Sequence, residues 1–486
     1  MTLINKNEMN NQKTSMPILL LLFLFSSHAF ALDPLDILIT AVKPKSSSVS
    51  VAVWDLTSNK PIYSYNAHQL MLPASTQKLF IASSALKELG TKFQYQTSIE
   101  TNGKIVNGTL RGNLYIRFDA DPSLTTNDLY TLLQQVKSLG VKHISGNVLL
   151  SAPLKKTSRA KGWVWDDLGI CFAAPISGYI LDKNCVTAEL LPTKGNKSKV
   201  HIFKHVPLQI TSTVYFDPKH VQQDCEMALN KVSINHYVID GCHHNRRKVP
   251  LEVAIPDPQQ FALDFVAQSL SELGIRVSGR VSNNKINLIS NEVHISKVIA
   301  RHNSEKLPAL LKEMLLNSDN MIADTLTKKI GQLEFKTQGS FVNGTRAIKK
   351  TMKSLGVDLS DAVLADGSGL SRYNLVSAHQ ILETLKAIHD TPTLKLLTNA
   401  LPVAGRSGTL LNKHAFNHPP LKDIITAKTG SMSGVSCLAG YINIKGKHKY
   451  AFAILENGIS HKQSKKQPFE AAFLKGFIEQ IKNGSS

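Results

Sequence analysis

The chain has 486 residues, 42% hydrophobic and 19% charged, a composition that excludes a disordered or fibrous protein and leaves room for two or more domains. Its formal net charge of +20 suits anionic partners such as a cell-wall polymer or an acidic membrane face, and equally a solvated basic surface. No basic-aromatic module of a nucleic-acid-binding type accompanies that charge, so nucleic acid is not expected as a partner.

Lys6 and Lys13 precede an apolar run from Pro17 to Phe25, followed by Ser26-Ser27-His28-Ala29-Phe30-Ala31. Ala29 and Ala31 fit the small-residue cleavage rule, which predicts a signal peptide over 1–31, a mature start at Leu32 and a periplasmic or otherwise extracytoplasmic location. The run is shorter than the roughly 20 residues that span a bilayer, so no transmembrane anchor is expected. Without this segment the net charge is +19, still compatible with peripheral contact at a membrane.

Val49, Val51 and Val53 alternate, as do the residues around Ile62 and Tyr63 beyond Ser58-Asn59-Lys60, and this pattern predicts a β-hairpin. Next comes Leu72-Pro73-Ala74-Ser75-Thr76-Gln77-Lys78-Leu79-Phe80. Pro73 suits a helix start, and the apolar run through Leu86 stops at Gly90. Ser75 is therefore expected in the first turn, where free N–H groups and the positive helix end favour a developing alkoxide. Lys78, three residues on, shares its face. A serine hydroxyl is a weak nucleophile at its own pKa, and a desolvated lysine can act as its base. The pair alone is weak evidence, because Ser84-Ala85-Leu86-Lys87 has the same spacing.

Residues 91–287 carry many short alternating runs, such as 94–99, 113–117 and 146–150, and are expected to form a β-rich insertion of one or two subdomains. Four of the five cysteines lie there: Cys171, Cys185, Cys225 and Cys242. Disulfides fit an oxidising compartment. Four cysteines allow three connectivities; the local pairs Cys171–Cys185 and Cys225–Cys242 are favoured, each closing a loop of about 15 residues worth about 3 kcal/mol. The absence of a close Cys-x-x-Cys pair argues against a metal site, and no cofactor is expected.

Helical patterning returns with 307–316, which leads into Asn317-Ser318-Asp319-Asn320, and again near 341–354 and 376–389. Ile424-Ile425-Thr426-Ala427-Lys428-Thr429-Gly430 reads as a strand. Val435 to Ile442 and Tyr450 to Leu455 follow as further strands, and Phe469, Phe473, Phe477 and Ile481 form the stripe of a last helix. Strands at both ends with helices between them predict an α+β fold, an antiparallel sheet covered by helices. Its catalytic domain would comprise 32–90 and 288–486.

Ser318-Asp319-Asn320 and Lys428-Thr429-Gly430 raise Ser75 above chance, although Ser282-Asn283-Asn284 also fits Ser-x-Asn. In this order the three motifs match the Ser-x-x-Lys, Ser-Asp-Asn and Lys-Thr-Gly set of penicilloyl serine transferases. The chain resembles the type 4 family of low-molecular-mass penicillin-binding proteins, the D-alanyl-D-alanine carboxypeptidase/endopeptidases. The likeness spans nearly the whole mature sequence. It includes Gly162-Trp163-Val164-Trp165-Asp166-Asp167, Asp366-Gly367-Ser368-Gly369-Leu370-Ser371-Arg372, Leu401-Pro402-Val403-Ala404-Gly405 and the large insertion between the first two motifs.

The resemblance implies that Ser75 attacks the carbonyl between two terminal D-alanines of a peptidoglycan peptide, with Lys78 as base. Ser318 would relay a proton to the leaving amine, and Asn320 would hold the substrate amide and orient Lys78. Lys428 and Thr429 would take the substrate carboxylate, Gly430 would admit the substrate close to the strand, and the N–H groups of Ser75 and Ser431 would form the oxyanion hole. β-Lactam antibiotics would acylate the same serine. It further implies that Asp167, Phe172 and Arg372 grip the zwitterionic end of a diaminopimelate side chain; Asp166 is an equal candidate for the acid. Ser433 stands where several relatives carry glutamine.

Two rival functions share these features. A class A β-lactamase carries the three motifs plus Glu-x-x-Leu-Asn after the second, and Glu226-Met227-Ala228-Leu229-Asn230 fits that string. It precedes Ser318, however, and the 243 residues from Ser75 to Ser318 exceed the lactamase spacing. A non-catalytic wall-binding protein of the same fold is the other rival, but a pure binder has no need of the nucleophile.

Overall fold

The strands at the two ends of the chain meet in one sheet. The computed structural model describes residues 33–154, 156–221, 224–284, 297–460 and 468–483, so the segment 1–31, expected from the sequence to be a signal peptide, lies outside the described residues. The five-stranded sheet has the order Ile425–Met432, Val435–Ile444, Lys447–Asn457, Ser48–Asp55, Lys60–Tyr65, and every neighbouring pair is antiparallel. This is the α+β architecture that the sequence predicts.

Both faces of this sheet are covered, so its inner strands lack a polar side. Leu438, Ile442, Phe452 and Ile454 pack against Phe469, Phe473 and Phe477 of the last helix, Phe469–Asn483, and against Leu35 and Ile39 of the first, Pro34–Val42. On the opposite face lie Cys437, Ala439, Ala451 and Ala453, which pack with Phe80, Ile81 and Ala85 of the helix Lys78–Leu89. Small side chains on this face let that helix lie close to the sheet. The helices Leu307–Asn317, Asn320–Phe335, Phe341–Ser354 and Ala378–Asp390 complete the layer.

The insertion contains more helix than its sequence reading implied. Thr126–Ser138 is opened by a capping box between Thr125 and Asp128, and Pro258–Glu272 by Asp257 with Pro258 in its first turn. These signals are present in the sequence but are outnumbered by the short alternating runs around them. Among the described residues the insertion's strands form four sheets of five, four, three and four members. One continuous apolar core, from Ile99 to Ala300, joins them.

The boundary at 288 needs correction. The strand Lys297–Asn303 pairs antiparallel with Gln96–Thr101 and so completes the five-stranded sheet of the insertion. The chain re-enters the helical layer at Leu307. Both local cysteine pairs are formed, with Cα–Cα distances of 5.1 Å for Cys171–Cys185 and 5.0 Å for Cys225–Cys242. Cys437 is a buried free thiol that fills the sheet's helix-facing side. Among the described residues no helix is long and apolar enough to cross a membrane.

Candidate active site

Ala74–Gln77 form a 3₁₀ turn, and the α-helix starts at Lys78 and stops at Gly90, where φ is +75°. Ser75 thus sits in the turn that leads the helix, and Lys78 is the first α-helical residue. The two meet: Lys78 Nζ lies 2.8 Å from Ser75 Oγ. Lys78 also donates to Asn320 Oδ1 at 2.7 Å and to the Ser368 carbonyl at 2.6 Å. Its side chain is fully buried. Burial lowers its pKa to about 8 against the opposing pull of Asp324, Asp366 and Asp319. An amine that titrates there can accept a proton near neutral pH.

The second motif sits at a helix junction. Ser318, left-handed at φ +61°, ends the helix Leu307–Asn317. Asp319 then caps the next helix by accepting from the Ile322 amide at 2.9 Å. It also pairs with Lys183 of the insertion at 2.6 Å, so its role is structural. This turn aims Ser318 and Asn320 at the site from successive helices. Asn320 Nδ2 donates to the Phe172 carbonyl at 2.9 Å.

The third motif arrives on the edge strand Ile425–Met432. Lys428 Nζ donates to Ser318 Oγ at 3.0 Å and to the Thr429 carbonyl at 2.7 Å. Burial holds its pKa well below the usual lysine value, and the nearby charges of Lys78 and Lys413 add to the effect. Thr429 Oγ1 is 2.6 Å from Thr409 Oγ1. A Cβ on Gly430 would lie 2.9 Å from the Pro73 carbonyl oxygen and 3.0 Å from the Ser75 amide nitrogen. Glycine here lets the strand pass beside the Ser75 backbone.

A fourth element, 366–372, closes the site from the side. Its motif was visible in the sequence, but only Arg372 was singled out there, because a backbone acceptor has no side-chain signature. The Ser368 carbonyl receives Lys78 and stands 3.5 Å from Ser75 Oγ. Gly369 has φ +82°, and a Cβ there would come within 1.9 Å of the Ala74 carbonyl oxygen. Gly369→Ala is therefore expected to cost about 3 kcal/mol, from left-handed strain plus overpacking. A melting curve showing a fall of several degrees would confirm it, and an unchanged melting temperature would refute it.

The insertion reaches this turn. Trp163 Nε1 donates to Asp366 Oδ2 at 2.9 Å, and Ser371 Oγ donates to the Lys161 carbonyl at 2.6 Å. Asp167 has a raised pKa because burial outweighs the Arg372 charge, with Asp166 adding to the rise. Arg372 Nη1 donates to the Ser433 carbonyl at 2.8 Å. Phe172 leaves its ring 44% exposed beside the site. Ser431 is exposed at the end of the same strand as Lys428. Glu226 is exposed immediately before the insertion strand Met227–Ser233, and its carbonyl accepts from the Cys242 amide at 3.0 Å.

A half-buried serine held by a desolvated lysine, with a second buried lysine across the cleft and an edge strand alongside, defines a serine acyl-transferring hydrolase of the penicillin-recognising fold. The model of the D-Ala-D-Ala carboxypeptidase 3 (S13) family matches residues 35–474, and the chain belongs to that family. It is 35% identical over 426 residues to the D-alanyl-D-alanine carboxypeptidase DacB of Haemophilus influenzae, spanning 87% of this chain and 88% of that one. It is 27% identical over 428 residues to a D-alanyl-D-alanine carboxypeptidase of Actinomadura sp., spanning 84% and 78%. The crystal structure of penicillin binding protein 4 from Haemophilus influenzae superposes with a TM-score of 0.84 at 33% identity, covering 92% of this chain and 99% of that one. The same protein complexed with a β-lactam gives 0.81 at 32% identity, with the same coverage.

Proposed function

We propose that this protein is a serine D-alanyl-D-alanine carboxypeptidase, with DD-endopeptidase action on peptidoglycan cross-links, that works through an acyl-enzyme on Ser75 and is trapped by penicillin. The observation that carries this reading is the triple contact of Lys78 with Ser75 Oγ, Asn320 Oδ1 and the Ser368 carbonyl. In neutral Lys78 the two carbonyl-type acceptors take the two N–H bonds. The lone pair then points at Ser75 Oγ.

The chemistry follows from that arrangement. Lys78 takes the Ser75 proton as Oγ attacks the D-alanyl carbonyl carbon. Negative charge builds on the carbonyl oxygen, where the Ser75 N–H, in the turn that leads the helix, and the Ser431 N–H can stabilise it. Ser318, bonded to Lys428, relays to the leaving D-alanine amine the proton that Lys78 took, giving up its own hydroxyl proton and receiving that of Lys78 as the C–N bond breaks. Water then attacks the acyl-enzyme and gives a proton to the neutral Lys78, which returns it to Ser75 Oγ as the ester bond breaks. Lys428 and Thr429 receive the substrate's terminal carboxylate. That anion brings the counter-charge that buried Lys428 otherwise lacks, so binding favours its ammonium form. Asp167, Phe172 and Arg372 offer an acid, a ring and a base for a zwitterionic peptide side chain.

Two disulfides and the predicted signal peptide support work outside the cytoplasm, in the periplasm. A β-lactamase reading has no support at the site: among the described residues no glutamate hydrogen bonds to Ser75 or Lys78, so a penicilloyl adduct lacks a strong base to activate water.

The deciding experiment incubates the purified protein with benzylpenicillin for intact mass and peptide mapping. A parallel assay follows D-alanine release from a D-alanyl-D-alanine peptide. A lasting one-to-one adduct on Ser75 together with D-alanine release supports the proposal. Rapid penicillin turnover without an adduct, or neither reaction, overturns it. Because acylation needs neutral Lys78, its rate is expected to rise with pH to a plateau above about 8. A rate independent of pH from 6 to 10 would remove Lys78 as the base.

A further inference from the structure

We infer that Asp324 is a positioning residue for acylation: it fixes the turn whose Ser368 carbonyl holds Lys78, and its charge governs when Lys78 releases its proton. The inference rests on the acyl-enzyme reading of Ser75. Asp324 lies one helical turn beyond Asn320, fully buried. Its Oδ1 accepts from the Gly367 amide at 2.7 Å and from the Ser368 amide at 2.9 Å. The next amide, Gly369, donates to Asp366 Oδ1 at 2.9 Å. Two carboxylates thus pin three successive N–H groups, and the Ser368 carbonyl, in the same peptide unit as the Gly369 N–H, is turned towards Lys78 Nζ at 2.6 Å.

Asp324 Oδ2 has no hydrogen-bond partner among the described residues. A buried carboxylate with one idle oxygen is an expensive way to hold a turn, since a neutral acceptor would satisfy the same two amides. What the carboxylate adds is charge. The charged groups facing it are Lys78, Asp366 and Lys328, and those facing Lys78 include Asp324, Asp366, Asp319 and Lys428. Burial and Asp366 raise the Asp324 pKa to about 7, while Gly367, Ser368 and Lys78 oppose the rise. The ionised carboxylate favours ammonium Lys78 and opposes the fall that burial causes. Its removal therefore lets Lys78 deprotonate at lower pH.

The test measures penicillin acylation as a function of concentration and pH for wild type, Asp324→Asn and Asp324→Ala, with melting curves for each. Asp324→Asn keeps an Oδ1 acceptor and loses the charge. It is expected to hold the alkaline plateau within a few-fold and to move the acid limb down by roughly one pH unit. Asp324→Ala loses the charge and also releases the turn: its acid limb is expected to move down like that of Asp324→Asn, while the acylation constant on the alkaline plateau falls about 100-fold with the non-covalent binding constant unchanged. An Asp324→Asn profile superposable on wild type, or an Asp324→Ala protein that acylates at the wild-type rate, overturns the inference. If Asp324→Ala does not fold, the Asp324→Asn profile decides alone. Wild-type protein that takes up no penicillin overturns the acyl-enzyme reading and this inference with it. Normal wild-type uptake with unaltered variants overturns only the latter.

Discussion

Ser75→Ala is expected to form no penicillin adduct and to release D-alanine at least about 10⁴-fold more slowly than wild type. The magnitude follows from the chemistry. Without Oγ no covalent intermediate forms, so the amide must be attacked by water directly in a site built for the serine. What survives is binding and the oxyanion donors. The substitution leaves little room for a structural explanation, because Ser75 is half-buried and its hydroxyl takes no part in holding the helix start. Among the described residues the Ser75 hydroxyl hydrogen bonds only to Lys78 and, at 3.5 Å, to the Ser368 carbonyl. Peptide affinity should therefore stay near wild type, since Lys428, Thr429 and the insertion are untouched. Intact mass and a D-alanine assay on the same preparation check both halves. A lasting adduct on the variant would mean that another group is the nucleophile.

Lys78→Met is the second large effect. Methionine nearly matches the lysine stem in volume but cannot take the Ser75 proton, so acylation is expected to fall about 10³–10⁴-fold, the upper range for loss of a positioned base. Stability has two opposing contributions. The variant strands Asn320 Oδ1 and the Ser368 carbonyl without their shared donor, each costing about 1–3 kcal/mol. It also removes a buried amine whose charged form burial disfavours. A melting temperature within several degrees of wild type is the expected balance, so the rate loss can be read as chemistry. The residual rate should also lose its rise towards pH 8. Near-wild-type acylation by a folded Lys78→Met protein would transfer the base role elsewhere, with Lys428 the next candidate across Ser318.

Much of the candidate site was legible in the amino-acid sequence because it is written in short local patterns. Pro73, the apolar run after it and Gly90 delimit one helix, and a spacing of three is enough to bring Lys78 to Ser75. Ser318-Asp319-Asn320 is readable in the same way: a capping aspartate flanked by two polar residues at a helix start. Lys428-Thr429-Gly430 ends in the glycine that a close strand approach needs. The local cysteine pairs were also accessible, because short loops close at low entropic cost.

What the sequence could not supply was anything that depends on which surfaces meet. The strand Lys297–Asn303 belongs to the insertion because its partner is Gln96–Thr101, some 200 residues earlier, and pairing at that separation leaves no local trace. The two insertion helices had their caps in plain view, at Thr125 and Asp257, yet were masked by the strands around them. Asp166 and Asp167 were equal on paper. In the folded chain their surroundings differ, since Asp167 is partly buried within reach of the Arg372 charge while Asp166 is exposed. The Ser368 carbonyl and Asp324 complete the lysine's surroundings through a backbone oxygen and a buried carboxylate. Sequence alone determined the candidate pair Ser75 and Lys78 and its two companion motifs, because each is a local spacing on one element. The tertiary structure decided how far burial lowers the lysine's pKa and which acceptors aim it, because desolvation and field exist only once the elements have packed.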